Sequence, residues 1–461
     1  MKRPNAWNDY TPDQLEELDA LTSDYMAFIS ANKTERECCA AGVEMACQAG
    51  YVNLEDCVRE GRTLGAGDKV YAVNRGKMLL LVELGTEPLA NGLNILGAHI
   101  DCPRLDVKQV PLDETDGLAY LDTHYYGGIK KYQWVTMPLA LHGVICKKDG
   151  STVEVRIGED PFDPVLYITD LLPHLGSEQM GKKASEFIPG EALDVLVGNR
   201  PLKLDDNADD TPVRAQLLQL LAEELGIDEE DFLSAELEVV PAGPARDLGL
   251  DRSMIMGYGQ DDRSNAYPCL VAQLACEQPR RAAATLLVDK EEIGSMGATG
   301  MASTFFEDSM AEICALAGEE GALALRRCLH NSKVLSCDVS VGYDPAFASV
   351  FEKKNSAFLG HGLSFMKYTG ARGKSGSNDA SAEYVAEVRR IMDEAGVHFQ
   401  TCELGRVDAG GGGTIAYVLA RYGMSVIDCG VPVLSMHAPW EVASKADVYE
   451  AFRGYRAFLD V

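Results

Sequence analysis

Short and nearly continuous apolar runs recur along the chain, each closed by a polar or charged residue. They occupy residues 78–84, 94–101, 254–258, 282–288, 334–341 and 425–437. Runs of this length predict buried strands. Between or after them lie stretches of helical length, about 264–277, 305–328, 379–395 and 446–459. At the N-terminal end, Leu15, Leu18, Leu21 and Met26 form a rough apolar stripe after Pro12. Thr34 to Glu37 then has the capping-box form that opens a second helix. Buried strands alternating with helices predict an α/β fold, a mostly parallel sheet with helices on both faces.

From about residue 107 to 241 the rhythm changes. Alternating runs at 152–157 and 237–240 mix with loops rich in Asp, Gly and Pro. Long loops of the main domain are one reading, and a smaller inserted β-rich domain is the one adopted. The expected division is 1–105 with 246–461, interrupted by 106–245.

Charge narrows the partners. A net charge of -29 over 461 residues argues against nucleic acid and anionic membranes, which require a basic footprint. No run approaches membrane-spanning length, and the start MKRPNAWNDY lacks the apolar core of a signal peptide. Thirteen scattered cysteines without a C-x-x-C spacing read as reduced thiols, so a cytoplasmic location is expected.

The strand ends carry the chemistry. His99 and Asp101 close one run, Asp261 and Asp262 follow another, and Glu291 and Glu292 lie just past 282–288. Asp338 interrupts a fourth run and His437 ends the last. In an extended H-x-D the two polar side chains point the same way, so a carboxylate can fix the tautomer of a metal-binding histidine. In open α/β sheets the binding crevice lies outside the carboxyl ends of the strands, where distant loops meet. Two histidines with several carboxylates suit Zn²⁺, with Mn²⁺ or Co²⁺ as alternatives, and there are more carboxylates than one ion needs. Two divalent metal ions are therefore expected.

Five stretches in order, GAHIDCPRLDVK, YGQDDRSNAY, DKEEIGS, SCDVSV and PVLSMHAPWE, resemble the metal-site motifs of the aspartyl aminopeptidase family. These are cocatalytic metallopeptidases related to the tetrahedral aminopeptidases. VDAGGGGTIA and the stretch from Lys445 to Tyr449 extend the likeness over nearly the whole chain. The resemblance implies that His99 and Asp338 hold one metal, Glu292 and His437 the other, with Asp261 bridging, although Asp262 competes for that place. Glu291 would be the catalytic base and Asp101 the support for His99. It also implies a zinc-peptidase-like catalytic domain interrupted by an oligomerisation domain, a tetrahedral dodecamer, and small peptides as substrates. Apolar runs such as 134–141 are expected to supply an interface.

The chain departs from the family at the insertion. The histidine-rich stretch of animal and fungal members, which reaches a neighbouring subunit's pocket, corresponds here to residues 172–178. His174 is kept, but Glu178 takes the later histidine position. A modest rather than strict preference for acidic N-terminal residues follows. Lys374, with Arg372 and Arg406, is the basic group expected to meet an acidic side chain. Gly373-Lys-Ser375 is similar to a phosphate loop, yet Tyr368 stands where that motif needs glycine. The contrasting reading is a non-catalytic assembly or binding protein on a peptidase-like scaffold, which would have no need of Glu291 and five candidate ligands together.

Overall fold

The computed structural model describes residues 4–203 and 211–461. The chain forms two compact units. The first takes in the chain up to Asp101, Ala245–Met436 and Glu441–Val461, and the second Cys102–Pro244 and His437–Trp440.

The first unit is built on a nine-stranded sheet. Its order is Val52–Asn53, Lys69–Asn74, Met78–Glu83, Ala282–Val288, Leu93–His99, Lys333–Cys337, Ser425–Gly430, Leu363–Met366, Phe399–Thr401. The four strands from Ala282–Val288 to Ser425–Gly430 are mutually parallel. Met78–Glu83 and Leu363–Met366 pair with this group antiparallel, so the whole sheet is mixed. Every residue of Leu93–His99 and Ala282–Val288 is buried, which is why these segments read as unbroken apolar runs.

Strand side chains alternate between faces, and here the alternation divides two cores. Leu79, Leu81, Leu96, Ala98, Ala283 and Leu335 pack with residues of Pro12–Ala31, Glu35–Gln48, Gln260–Leu274, Ala382–Glu394 and Lys445–Leu459. Leu80, Val82, Ile95, Ala284, Leu286 and Val334 join a separate core with Leu54–Glu60, Phe305–Leu316, Ala322–Asn331 and Ala416–Ala420. Helices therefore cover both faces. The capping box expected at Thr34 forms: its hydroxyl accepts from the Glu37 N–H while the Glu37 carboxylate accepts from the Thr34 N–H. A cap of this kind contributes ~1 kcal/mol. The stretch 305–328 makes two helices rather than one, because Gly318 and Gly321 take left-handed backbone angles between them.

A five-stranded sheet completes this unit: Arg246–Leu248, Met254–Gly257, Glu441–Ser444, Pro432–Leu434 and Ser340–Val341.

The second unit carries a wholly antiparallel seven-stranded sheet. Ala235–Pro241 pairs both with Arg104–Thr115 and with Pro138–Cys146, so the sheet closes on itself. One expectation is corrected here. The apolar side chains of residues 134–141 do not offer an exposed interface: Trp134, Leu139 and Ala140 are buried. Apolar side chains that do face outward include Phe162, Leu175 and Met180, 97%, 69% and 71% exposed.

Candidate metal centre

Three parallel neighbours bring their carboxyl ends to one level. Val288 stands opposite His99 in the register of Ala282–Val288 and Leu93–His99, and Ser336 stands opposite Gly97. Asp338, two residues beyond Ser336, is thereby level with His99, and Glu291 and Glu292 follow Val288 in the next loop. Between Met254–Gly257 and the helix that follows it, Gly259 takes a φ of 73°, and Asp261 and Asp262 keep non-helical backbone angles at the helix start. Their side chains enter the same space. His99, Glu291 and Asp338 offer ligand atoms within 4.8 Å of one another. So do His99, Asp261 and Glu292, and also Asp261, Asp262 and Asp338.

His99 is held on every side. Its Nδ1 donates to the Asp101 carbonyl at 2.9 Å, with Asp101 Oδ1 at 3.3 Å, and its Nε2 lies 3.2 Å from Asp261 Oδ1. Its backbone N–H donates to Asp262 Oδ2 at 3.3 Å. Burial opposes protonation of this ring, but hydrogen bonds with Asp101 and Asp261 outweigh it and hold the pKa well above the ordinary histidine value. The Asp101 carboxylate also clamps the glutamate loop, accepting from the Glu291 N–H at 3.1 Å and the Glu292 N–H at 3.2 Å.

Asp262 faces a second set of partners that the sequence did not single out. Asn265 Nδ2 donates to its Oδ1 at 2.5 Å, while Asn265 Oδ1 accepts from the Val431 N–H at 3.0 Å and the Tyr455 hydroxyl at 2.7 Å. Glu441 accepts from the Asp261 N–H at 3.0 Å. Arg263, fully buried, donates to the carbonyls of Lys33 and Ile100 at 2.7 and 3.3 Å and so fixes the backbone between His99 and Asp101. Gly430 leaves room for this packing, since a Cβ there would lie 2.0 Å from the Asp338 carbonyl oxygen. The available signal was local: Arg263 and Asn265 follow the aspartates at once, and Glu441 ends the same motif as His437.

Electrostatics identify what the cluster accepts. Burial raises the pKa of Asp338 well above the carboxylate range, aided by the neighbouring charges of Glu291 and Asp261 and opposed by His99. Asp262 is raised for the same first reason, with Asp338 adding to it. Five carboxylates around one imidazole, largely out of water, require compensating positive charge. Oxygen donors with an imidazole nitrogen fit Zn²⁺, Mn²⁺ or Co²⁺.

The remaining expected site residues have the following surroundings. His437 is grouped with the second unit, takes a φ of 64° and donates from Nδ1 to the Gly128 carbonyl at 2.9 Å, which leaves Nε2 as its lone-pair nitrogen. His174 is exposed on a turn of the second unit. Lys374, Arg372 and Arg406 line one concavity of about 230 Å³ in the first unit, but Glu403 and Asp408 line it too. Lys374 Nζ already meets Asp379 Oδ2 at 2.8 Å and lies 3.7 Å from the Tyr368 ring centroid.

Comparison with known proteins gives a consistent result. Residues 28–459 match the model of the Aminopeptidase I zinc metalloprotease (M18) family. A Clostridium acetobutylicum protein named "Probable M18 family aminopeptidase 1" is 58% identical over 99% of this chain and 98% of its own length. The crystal structure of an M18 aminopeptidase from Thermotoga maritima superposes with a TM-score of 0.94 at 43% identity, covering 100% of this chain and 99% of the other. The S. cerevisiae mApe1 dodecamer shares the fold, with a TM-score of 0.76 at 20% identity over 96% of this chain and 99% of the other.

Proposed function

Since the chain belongs to the Aminopeptidase I zinc metalloprotease (M18) family, we propose that its carboxylate and histidine cluster holds two divalent ions and that Glu291 is the general base of N-terminal peptide hydrolysis. As a member of that family the chain is a metal-dependent aminopeptidase, which sets aside a non-catalytic scaffold. The observation that carries the finer reading is the convergence of His99, Asp261, Glu291, Glu292 and Asp338 at the ends of adjoining strands.

His99 and Asp338 are proposed for one ion and Glu292 for the other, with Asp261 serving both, and His437 is proposed as a further ligand on the resemblance of its motif alone. When bound, the ions supply Lewis acidity, which lowers the pKa of water and polarises a carbonyl group. The chain's residues do the rest. Asp101 keeps the Nδ1 proton on His99, so that Nε2 is the coordinating nitrogen, and it fixes the backbone that carries both glutamates. Glu291 accepts the proton of the attacking water and returns it to the leaving amine, a role contributing roughly 10²–10⁴-fold.

Substrate preference is proposed as modest for Asp or Glu, with activity on neutral residues. A net charge of -29 repels acidic peptides at long range, but salt screens this beyond roughly 8 Å, so nearby groups decide. The acids that share the concavity with Lys374, Arg372 and Arg406 support the modest preference. The assembly is proposed as a homo-oligomer, a dodecamer by likeness to the yeast dodecamer and tetrahedral by the motif resemblance. The exposed Phe162, Leu175 and Met180 support it as apolar contact surface. Thirteen cysteines, all free, support a reducing, cytoplasmic setting.

The test is hydrolysis of a panel of aminoacyl-arylamides, before and after chelation, with light scattering on the same sample. Cleavage of acidic and neutral substrates, lost on chelation and restored by Zn²⁺, Mn²⁺ or Co²⁺, is expected. Turnover that survives complete chelation contradicts the metal reading, and full activity in a monomer contradicts the assembly.

A further inference from the structure

The chain has 71 acidic residues against 42 lysines and arginines, yet one region gathers several arginines around a single concavity. Arg326, Arg327 and His330 on the helix Ala322–Asn331, together with Arg421 just beyond Ala416–Ala420, line a single concavity of about 550 Å³. Arg281, from a third stretch of chain, donates to the carbonyl of Asn331 on the same lining at 3.0 Å. Among the described residues none of these four guanidinium groups is ion-paired to a carboxylate. Glu307 is the acidic residue of the lining and lies near the Tyr422 hydroxyl.

A helix C-terminus favours cations within its last turn, by typically 0.3–1 kcal/mol, and this accounts for His330 and in part for its neighbours. Arg281 serves the same helix end, since it donates to the Asn331 carbonyl, whereas Arg421 comes from another segment. Like charges gathered in this way repel one another unless an anion sits among them. The floor beneath them is apolar, made by Leu323, Leu329 and the Tyr422 ring, and the volume lies in the range of small-molecule sites. The backbone is cut to fit: a Cβ at Gly423, where φ is 82°, would stand 2.5 Å from His330 Nδ1.

We propose that this concavity binds a small phosphate-bearing anion of the pyrophosphate or nucleoside diphosphate class. Its lining shares no residue with the metal cluster, so the site is distinct from the peptidase centre. The arginines read the phosphates, for which their planar forked donors are suited.

The experiment is calorimetric titration of the metal-loaded enzyme with pyrophosphate and, separately, adenosine diphosphate, repeated on the double variant Arg326→Ala, Arg421→Ala. Because phosphates also bind metal centres, aminoacyl-arylamide turnover of both proteins is followed in parallel. Saturable, salt-sensitive binding that weakens at least tenfold in the variant, with turnover in the absence of anion unchanged, is expected. Equal affinities for the two anions identify recognition by charge alone, and tighter binding of the nucleotide adds the apolar floor. No binding, or binding unaffected by the double substitution, overturns the proposal.

Discussion

Replacing Asp101 by asparagine should lower kcat/KM about tenfold, and replacing it by alanine about a hundredfold. The carboxylate is fully buried and serves both the histidine ring and the glutamate loop. An amide of the same shape has one accepting oxygen, so one of the two backbone N–H groups of Glu291 and Glu292 then faces an NH₂ group. A hydrogen bond to a charged partner contributes ~1.5–3 kcal/mol, and the half-buried loop regains part of that from water. A net loss of ~1.5 kcal/mol corresponds to about tenfold in rate. Alanine removes both bonds and the His99 contact together, for a net ~3 kcal/mol. The assay is steady-state hydrolysis of an aminoacyl-arylamide at saturating metal, with bound metal measured on the same samples so that occupancy and turnover are separated. An asparagine variant with wild-type kcat/KM, or one as impaired as alanine, would refute the clamp.

Other outcomes are expected from the same geometry. Asn265→Ala leaves Asp262, the Val431 N–H and the Tyr455 hydroxyl without this buried partner, and should destabilise the fold by about 4 kcal/mol in denaturant titration. Tyr455→Phe, which removes a single donor, should cost about 1 kcal/mol, and equal losses would show that the network does not act through Asn265. His437→Ala should lower bound metal by about one equivalent under subsaturating conditions, whereas an unchanged metal content removes it from the ligand set. Lys374→Ala should reduce kcat/KM for aspartyl or glutamyl substrates by less than about tenfold, because Asp379 already neutralises the ammonium. A hundredfold selective loss would instead make Lys374 the principal reader of an acidic side chain.

The parts of the site that were legible in the sequence are those where burial and charge conflict. A carboxylate or histidine ending a fully buried strand is costly unless something compensates it, so His99, Glu291, Glu292 and Asp338 stand out against apolar runs. Asn265, Tyr455 and Arg263 carry no such contrast. Each lies in a helix whose other residues are mixed, and its partner comes from a segment far away in the chain. The run at 134–141 misled for a related reason. Apolar composition alone does not say whether a strand is covered by its own unit, and this one closes the antiparallel sheet from within. Lys374 was visible as a charge, but its pairing with Asp379 depends on how the loop between them turns back.

The most direct test of the two-metal reading is elemental analysis of Glu291→Gln beside its turnover. The amide fills the same space but accepts no proton, so the variant should retain two equivalents of metal per chain while kcat falls by at least a hundredfold. Wild-type kcat in that variant would place the base elsewhere, and a single equivalent of metal in the fully active wild-type enzyme would contradict the two-metal centre.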